Sequence, residues 1–262
     1  MQLCWIHPTP RTTELEALWQ ALATSMSAIV APGNRLDFRF LENSGGFTRS
    51  LYAEHLNSVL MVEAAIQAQD EDYDGVLLGC WNDPLWEARE MLDIPVASVG
   101  EQSLLAALTM GHRFAVVTVA EKTAFAIERD IQAYGLSERA IRQPVRTIRP
   151  FSDTNLLKES LTHPESRFLP RFENVARQCI ADGAEIILVG CAYYGPLLRR
   201  AGHYQITGTA VPIVDASAIA VKYLEAMTGV AQTTSLVKSY ANAFAGVPST
   251  AIEGGRDALS LR

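Results

Sequence analysis

Two of the four cysteines in this 262-residue chain share one local setting. Cys80 closes the run Asp74-Gly75-Val76-Leu77-Leu78-Gly79-Cys80, and Cys191 closes Ala184-Glu185-Ile186-Ile187-Leu188-Val189-Gly190-Cys191. Each thiol follows an apolar strand that ends in glycine, and each precedes a helical segment introduced by proline, Pro84 or Pro196. A thiol just ahead of a helix faces unpaired N–H groups and the positive end of the helix dipole, and both favour thiolate. In open parallel sheets the carboxyl ends of the strands form the ligand crevice. Cys80 and Cys191 are therefore the candidate catalytic groups, suited to proton transfer. Cys4, within the first strand, and Cys179, on the apolar spacing of Phe172, Val175 and Ala176, read instead as packing residues.

The elements that must position these thiols alternate along the chain. Short apolar runs at 3–6, 37–41, 75–79, 96–99, 114–118, 185–190 and 211–214 read as strands. Amphipathic stretches at 13–29, 52–71, 84–92, 102–110, 121–134, 153–161, 170–182 and 216–227 read as helices. Continuously apolar strands separated by helices imply an α/β fold with parallel strands covered on both faces. The order also repeats: strand, Gly-Cys, Pro-started helix, Ile-Pro-Val or Val-Pro-Ile strand, helix. That recurrence predicts two similar α/β halves with a cleft between them. The segment 142–153, rich in Arg and Pro, reads as a connecting loop, and the stretch after Gln232 carries no usable pattern.

Composition narrows the function class. Hydrophobic residues make up 48% and charged residues 19%, which excludes a disordered chain. A net charge of −7 speaks against a bulk electrostatic grip on nucleic acid or anionic membrane. No run of 18 apolar residues occurs, and the N-terminal residues lack a basic-then-apolar leader, so a cytoplasmic location is expected. His7, His55, His112, His163 and His203 are scattered without metal-ligand spacing, and no phosphate-cradling glycine loop or Gly-x-Ser-x-Gly turn is present. The expectation is a small-molecule substrate with neither metal nor cofactor.

Several blocks resemble the aspartate/glutamate/hydantoin racemase superfamily. They are Gly79-Cys80-Trp81-Asn82-Asp83-Pro84, Leu92-Asp93-Ile94-Pro95-Val96, Val99-Gly100-Glu101, Gly111-His112-Arg113-Phe114 with Val116-Val117-Thr118, Gly190-Cys191-Ala192 and Val211-Pro212-Ile213-Val214-Asp215. The Gly-Cys-x-x-Asp-Pro block followed by Ile-Pro-Val-x-x-x-Gly-Glu looks like the hydantoin racemase branch. The resemblance implies a two-base reaction, in which one cysteine rests as thiolate and the other as thiol on opposite sides of a planar carbanion. It also implies a homo-oligomer and an exchange of last helices between halves, giving a first half of 1–99 completed by 215–262 and a second half of 100–214. For the substrate it implies a 5-substituted hydantoin or related ring, since Trp81 and Ala192 stand where amino-acid racemases place hydroxyl-rich residues.

The carbanion's charge needs donors, for which backbone N–H groups at the turns Trp81-Asn82, Thr118-Val119 and Ala192-Tyr193 are candidates. Thr118 has the alternative of capping the helix near Glu121, and Tyr193 that of packing at the cleft mouth. The first strand exits through His7-Pro8-Thr9, where relatives carry an Asn-Pro-Asn-like turn. His7 either bonds substrate and biases a thiol, or serves only as a polar turn residue. Three related chemistries compete. Acidic amino-acid racemases are one, and maleate-type isomerases, which use a cysteine pair with one as nucleophile, are another. Arylmalonate-type decarboxylases work with one cysteine, at the position of Cys191, and Cys80 argues against them. A non-catalytic ligand-binding protein is the rival from another class.

Overall fold

The computed structural model describes residues 1–44, 49–81, 84–150 and 153–259. The first half runs β1 (Gln2–His7), α1 (Glu16–Ser27), β2 (Arg35–Phe40), α2 (Leu51–Asp70), β3 (Gly75–Leu78), α3 (Leu85–Met91), β4 (Val96–Ser98) and α4 (Val99–Ala107). The second runs β5 (Phe114–Thr118), α5 (Glu121–Ala133), β6 (Ala140–Thr147), α6 (Thr154–Ser160), α7 (Phe168–Ala181), β7 (Ile186–Gly190), α8 (Tyr194–Arg200), β8 (Ile213–Val214) and α9 (Ala216–Thr234). A further helix, α10 (Ser249–Leu259), lies near the C-terminus.

Two four-stranded parallel sheets result, ordered β2-β1-β3-β4 and β6-β5-β7-β8. The two orders are equivalent, so the halves predicted from the repeat are present. In each sheet the chain reverses direction between its two central strands, β1 and β3 or β5 and β7, which places a crevice at their carboxyl ends. Alternation along β1 splits the core: Leu3 and Trp5 join one apolar cluster, while Cys4 and Ile6 join another under α2 and α3. The first cluster is continuous with the second half, through Leu18 and Leu22 of α1 and Val221 and Leu224 of α9.

The helices are exchanged between sheets. Helix α9 follows β8 yet packs on β3 and β4, and a Cβ on Gly75 of β3 would meet the Thr228 hydroxyl at 2.7 Å. Glu225 of α9 also accepts from the Ala31 N–H at 2.8 Å and from Asn34 at 2.7 Å, both in the first half. Reciprocally, α4 follows β4 and packs on β7 and against α9. Asp215 caps α9 by accepting from the Ala218 N–H at 3.0 Å, and Ser98 caps α4 by accepting from the Glu101 N–H at 3.3 Å. That second cap explains why α4 begins at Val99, earlier than the expected 102.

The segment 142–153 is corrected by the structure, because its first part belongs to strand β6, paired in parallel with β5. Its Arg and Pro content suits an edge position: Arg142 and Gln143 are exposed, and Pro144 stands where the register shifts. The stretch after Gln232 also carries structure. Lys238 donates to the Arg89 and Glu90 carbonyls, at 2.8 and 2.5 Å, and Arg256 of α10 bonds Glu63 of α2 at 3.0 Å, so this tail lies on the first half. Among the described residues no helix is long and apolar enough to cross a membrane.

Candidate active site

Cys191 comes directly after β7, and Cys80 follows the end of β3 after one intervening residue, Gly79, the strands being central in their sheets. The glycine before each thiol marks a close approach. A Cβ on Gly79 would lie 2.1 Å from the Trp5 indole nitrogen, and one on Gly190 would lie 2.8 Å from the Thr118 Cβ. Trp5 is on β1 and Thr118 on β5, the neighbouring strand in each case, so both halves solve the strand end in the same way. The two sheets meet at these ends, where Cys80 and Cys191 line one small cavity and each thiol acts on the ionisation of the other.

The environment polarises this pair. The action of one thiol on the other is the largest influence on both groups, raising Cys80 well above the ordinary thiol range and lowering Cys191. Burial opposes ionisation of both. The N–H groups at the start of α8 support the Cys191 thiolate, as does the charge of Arg49; the Tyr194 N–H itself donates to the Cys191 carbonyl at 3.1 Å. The Ala192 N–H donates to Cys80. Of the two thiols, Cys191 is the one its surroundings shift toward the charged form and Cys80 the one shifted toward the neutral form.

Around the sulfurs lies a cavity of about 70 Å³, walled by Pro8, Trp81 and Val119 as well as both thiols. Helix α2 adds Glu54, Ser58 and Met61, the first turn of α5 adds Lys122 and Thr123, and Arg49 precedes α2. Lys122 and Glu54 form an ion pair between the two halves. Burial draws the Lys122 ammonium down to about 8. Glu54, Ser58 and Trp81 also line an adjoining cleft of about 560 Å³, together with Val59, Trp86 and Tyr134.

The other expected residues fall into distinct places. Pro8, Trp81 and Val119 line the cavity, and Ala192 and Tyr193 contribute N–H groups to the sulfurs. Thr118 neither lines the cavity nor caps α5, whose N-cap is Ala120; its hydroxyl donates to the Gly190 carbonyl at 2.7 Å and ties β5 to β7. His7 is also away from the cavity wall. It lies 3% exposed, edge-on to Trp19 with ring centroids 4.0 Å apart, and its Nδ1 is 3.2 Å from the Thr9 hydroxyl. Burial holds His7 well below the usual imidazole range, hence neutral. The Tyr193 ring joins the same aromatic group, 5.5 Å from Trp19. Asn82, Asp83, Gly45 and Gly46 lie outside the described residues.

Arg49, Glu54 and Lys122 were not legible as site residues. For Lys122 a signal does exist: the first turn of a helix that follows a strand exit such as Thr118-Val119 necessarily stands at the carboxyl edge of the sheet. Among the described residues no three His, Cys, Asp or Glu side chains gather into a metal-ligating group.

Comparison with known proteins gives one consistent picture. The family described as Asp/Glu/Hydantoin racemase matches residues 10–224. The chain is similar to a hydantoin racemase of Pseudomonas sp. (strain NS671), 28% identical over 234 residues, 87% of this chain and 85% of that protein. A hydantoin racemase of Rhizobium meliloti is 31% identical over 181 residues, 67% of this chain and 68% of that one. Among solved structures, the allantoin racemase from Klebsiella pneumoniae has the same fold, with a TM-score of 0.76 at 19% identity over 95% of this chain and 94% of that one.

Proposed function

The chain belongs to the Asp/Glu/hydantoin racemase family and is an isomerase of the racemase class, and from that premise we propose that it racemises a hydantoin-type ring by two-base catalysis between Cys80 and Cys191. The observation that carries this reading is that Cys80 and Cys191, from equivalent strand ends of the two sheets, line one cavity, with their surroundings favouring thiol at Cys80 and thiolate at Cys191. A carbon acid seated between them loses its α-proton to the Cys191 thiolate on one face. It receives a proton from the Cys80 thiol on the other. The opposite enantiomer uses the same pair with the roles reversed, once the protons have been exchanged with solvent. The reaction is redox-neutral, and the two thiols supply its acid and its base without a cofactor.

The substrate assignment draws on the hydantoin racemase relatives and on the composition of the wall. Trp81, Pro8 and Val119 present apolar surface next to the sulfurs, which suits a neutral ring better than a free amino acid. The wider cleft beyond Trp81 offers room for a substituent. On the same reading the first half comprises 1–99 with 215–262 and the second comprises 100–214.

The test is an enantiopure 5-substituted hydantoin, with allantoin and glutamate alongside, incubated in D2O and followed by polarimetry and proton NMR. Decay of optical rotation with loss of the α-hydrogen signal is expected for a hydantoin-type ring, unchanged by EDTA. Cys80→Ala and Cys191→Ala should each lower the racemisation rate by about 10²–10⁴-fold, the usual worth of a general acid or base. Undiminished rates in both variants would remove the thiols from the mechanism.

A further inference from the structure

Removing the α-proton leaves an electron pair on a carbonyl oxygen, and that oxygen needs a partner of its own. The main-chain donors of the 192–194 turn are taken: the Ala192 and Tyr193 N–H groups act on the Cys80 and Cys191 thiols, and the Tyr194 N–H donates to the Cys191 carbonyl at 3.1 Å. The Thr118 hydroxyl is given to the Gly190 carbonyl. What the cavity wall presents beside both thiols is an ammonium group. Lys122 stands in the first turn of α5, lines the same small cavity, and is held from across the cleft by Glu54 of α2. Their side chains are 15% and 22% exposed, so this ion pair is largely shielded from water. Arg49 is the other cation in the wall, and its charge acts on the Cys191 thiolate.

We propose that Lys122 is the electrophilic catalyst of the reaction, its ammonium holding the carbonyl oxygen next to the reacting carbon, with Glu54 as the positioning residue that fixes the lysine. This rests on the racemase reading given above. In the step, the thiolate takes the α-proton and the C–H electron pair moves toward the carbonyl, giving an enolate oxygen that accepts a hydrogen bond from Lys122. The opposite thiol then returns a proton to carbon, the pair moves back, and the two sulfurs have exchanged protonation states. Lys122 keeps its protons throughout. A donor fixed in a water-poor site before the charge appears stabilises the transition state more than the neutral ground state. The lysine therefore acts on turnover more than on binding.

Steady-state racemisation and α-hydrogen exchange of a 5-substituted hydantoin should be compared in the parent protein, Lys122→Met, Lys122→Arg and Glu54→Gln. Lys122→Met should lower kcat by about 10²–10³-fold, the typical cost of one oxyanion donor, with KM within about threefold. Lys122→Arg should recover at least about tenfold of that loss, because it restores a charged donor. Glu54→Gln should fall between the parent and Lys122→Met. The double variant Glu54→Gln/Lys122→Met leaves no unpaired buried charge and serves where the single variant does not fold. It should be as slow as Lys122→Met. Parental kcat in Lys122→Met or in the double variant would overturn the assignment while the racemase reading stands. Absence of exchange in the parent protein would remove that reading and this inference with it.

Discussion

Burial alone makes a thiol a weaker acid, and Cys4 and Cys179 show it: one is pushed up to about 12 and the other to about 11. Cys191 is as enclosed as they are yet moves the other way, because the neighbouring Cys80 thiol and the N–H groups at the start of α8 favour its charged form. The Cys80 thiol is the largest of these influences, so Cys80→Ala should raise the thiolate midpoint of Cys191, read from ultraviolet thiolate absorbance or from the pH dependence of iodoacetamide alkylation. An unchanged midpoint would place the cause elsewhere. In the parent protein the activity should be bell-shaped in pH. Its acid limb marks protonation of Cys191, below the ordinary thiol value of about 8.5. Its alkaline limb marks loss of the Lys122 proton, at about 8, before the Cys80 thiol, which stands well above the ordinary thiol range, loses its own. The cysteine pair was legible because a Gly-Cys at a strand end occurs twice in matched positions. Glu54 and Arg49 were not, since nothing local distinguishes them from solvated helix or loop charges until the halves close together. His7 was open to two readings, and its surroundings of Trp19, Phe40 and Tyr193 belong to three different elements, beyond the reach of local sequence.

At the level of strands and helices, the glycines before the thiols act as spacers. Gly79 lies under the Trp5 indole and Gly190 against Thr118 and Ile127, so a methyl group at either position displaces core side chains. Gly79→Ala and Gly190→Ala should each cost about 1–3 kcal/mol by overpacking, measured as a lowered urea midpoint with unchanged slope. Wild-type stability in both would mean that the strand ends yield without strain. The parallel strands of the interior were readable from their unbroken apolar runs, as in Phe114–Thr118, where every residue is buried. Strand β6 was not, because an edge position tolerates the charges and the proline that make it look like a loop. The same reasoning applies to α10, none of whose residues is buried and whose attachment rests on Arg256 and Glu63, a contact between residues far apart in sequence.

Taken as a whole, the molecule is two equivalent sheets joined by a single apolar cluster and by two helices that have changed sides. The equivalence was visible in the repeated order of motifs. The helix exchange was expected only from the family resemblance, since periodicity shows that a helix has an apolar face and not which sheet receives it. This arrangement bears on how the protein is made. Chains often fold from the N-terminus as they are synthesised, but here α2 and α3 cover only one face of the first sheet, and the other face of β3 stays bare until α9 has emerged. A nascent chain stalled after Val214 should therefore remain open to protease throughout the first sheet, and protection should arrive only once the ribosome has released residues through about Thr234.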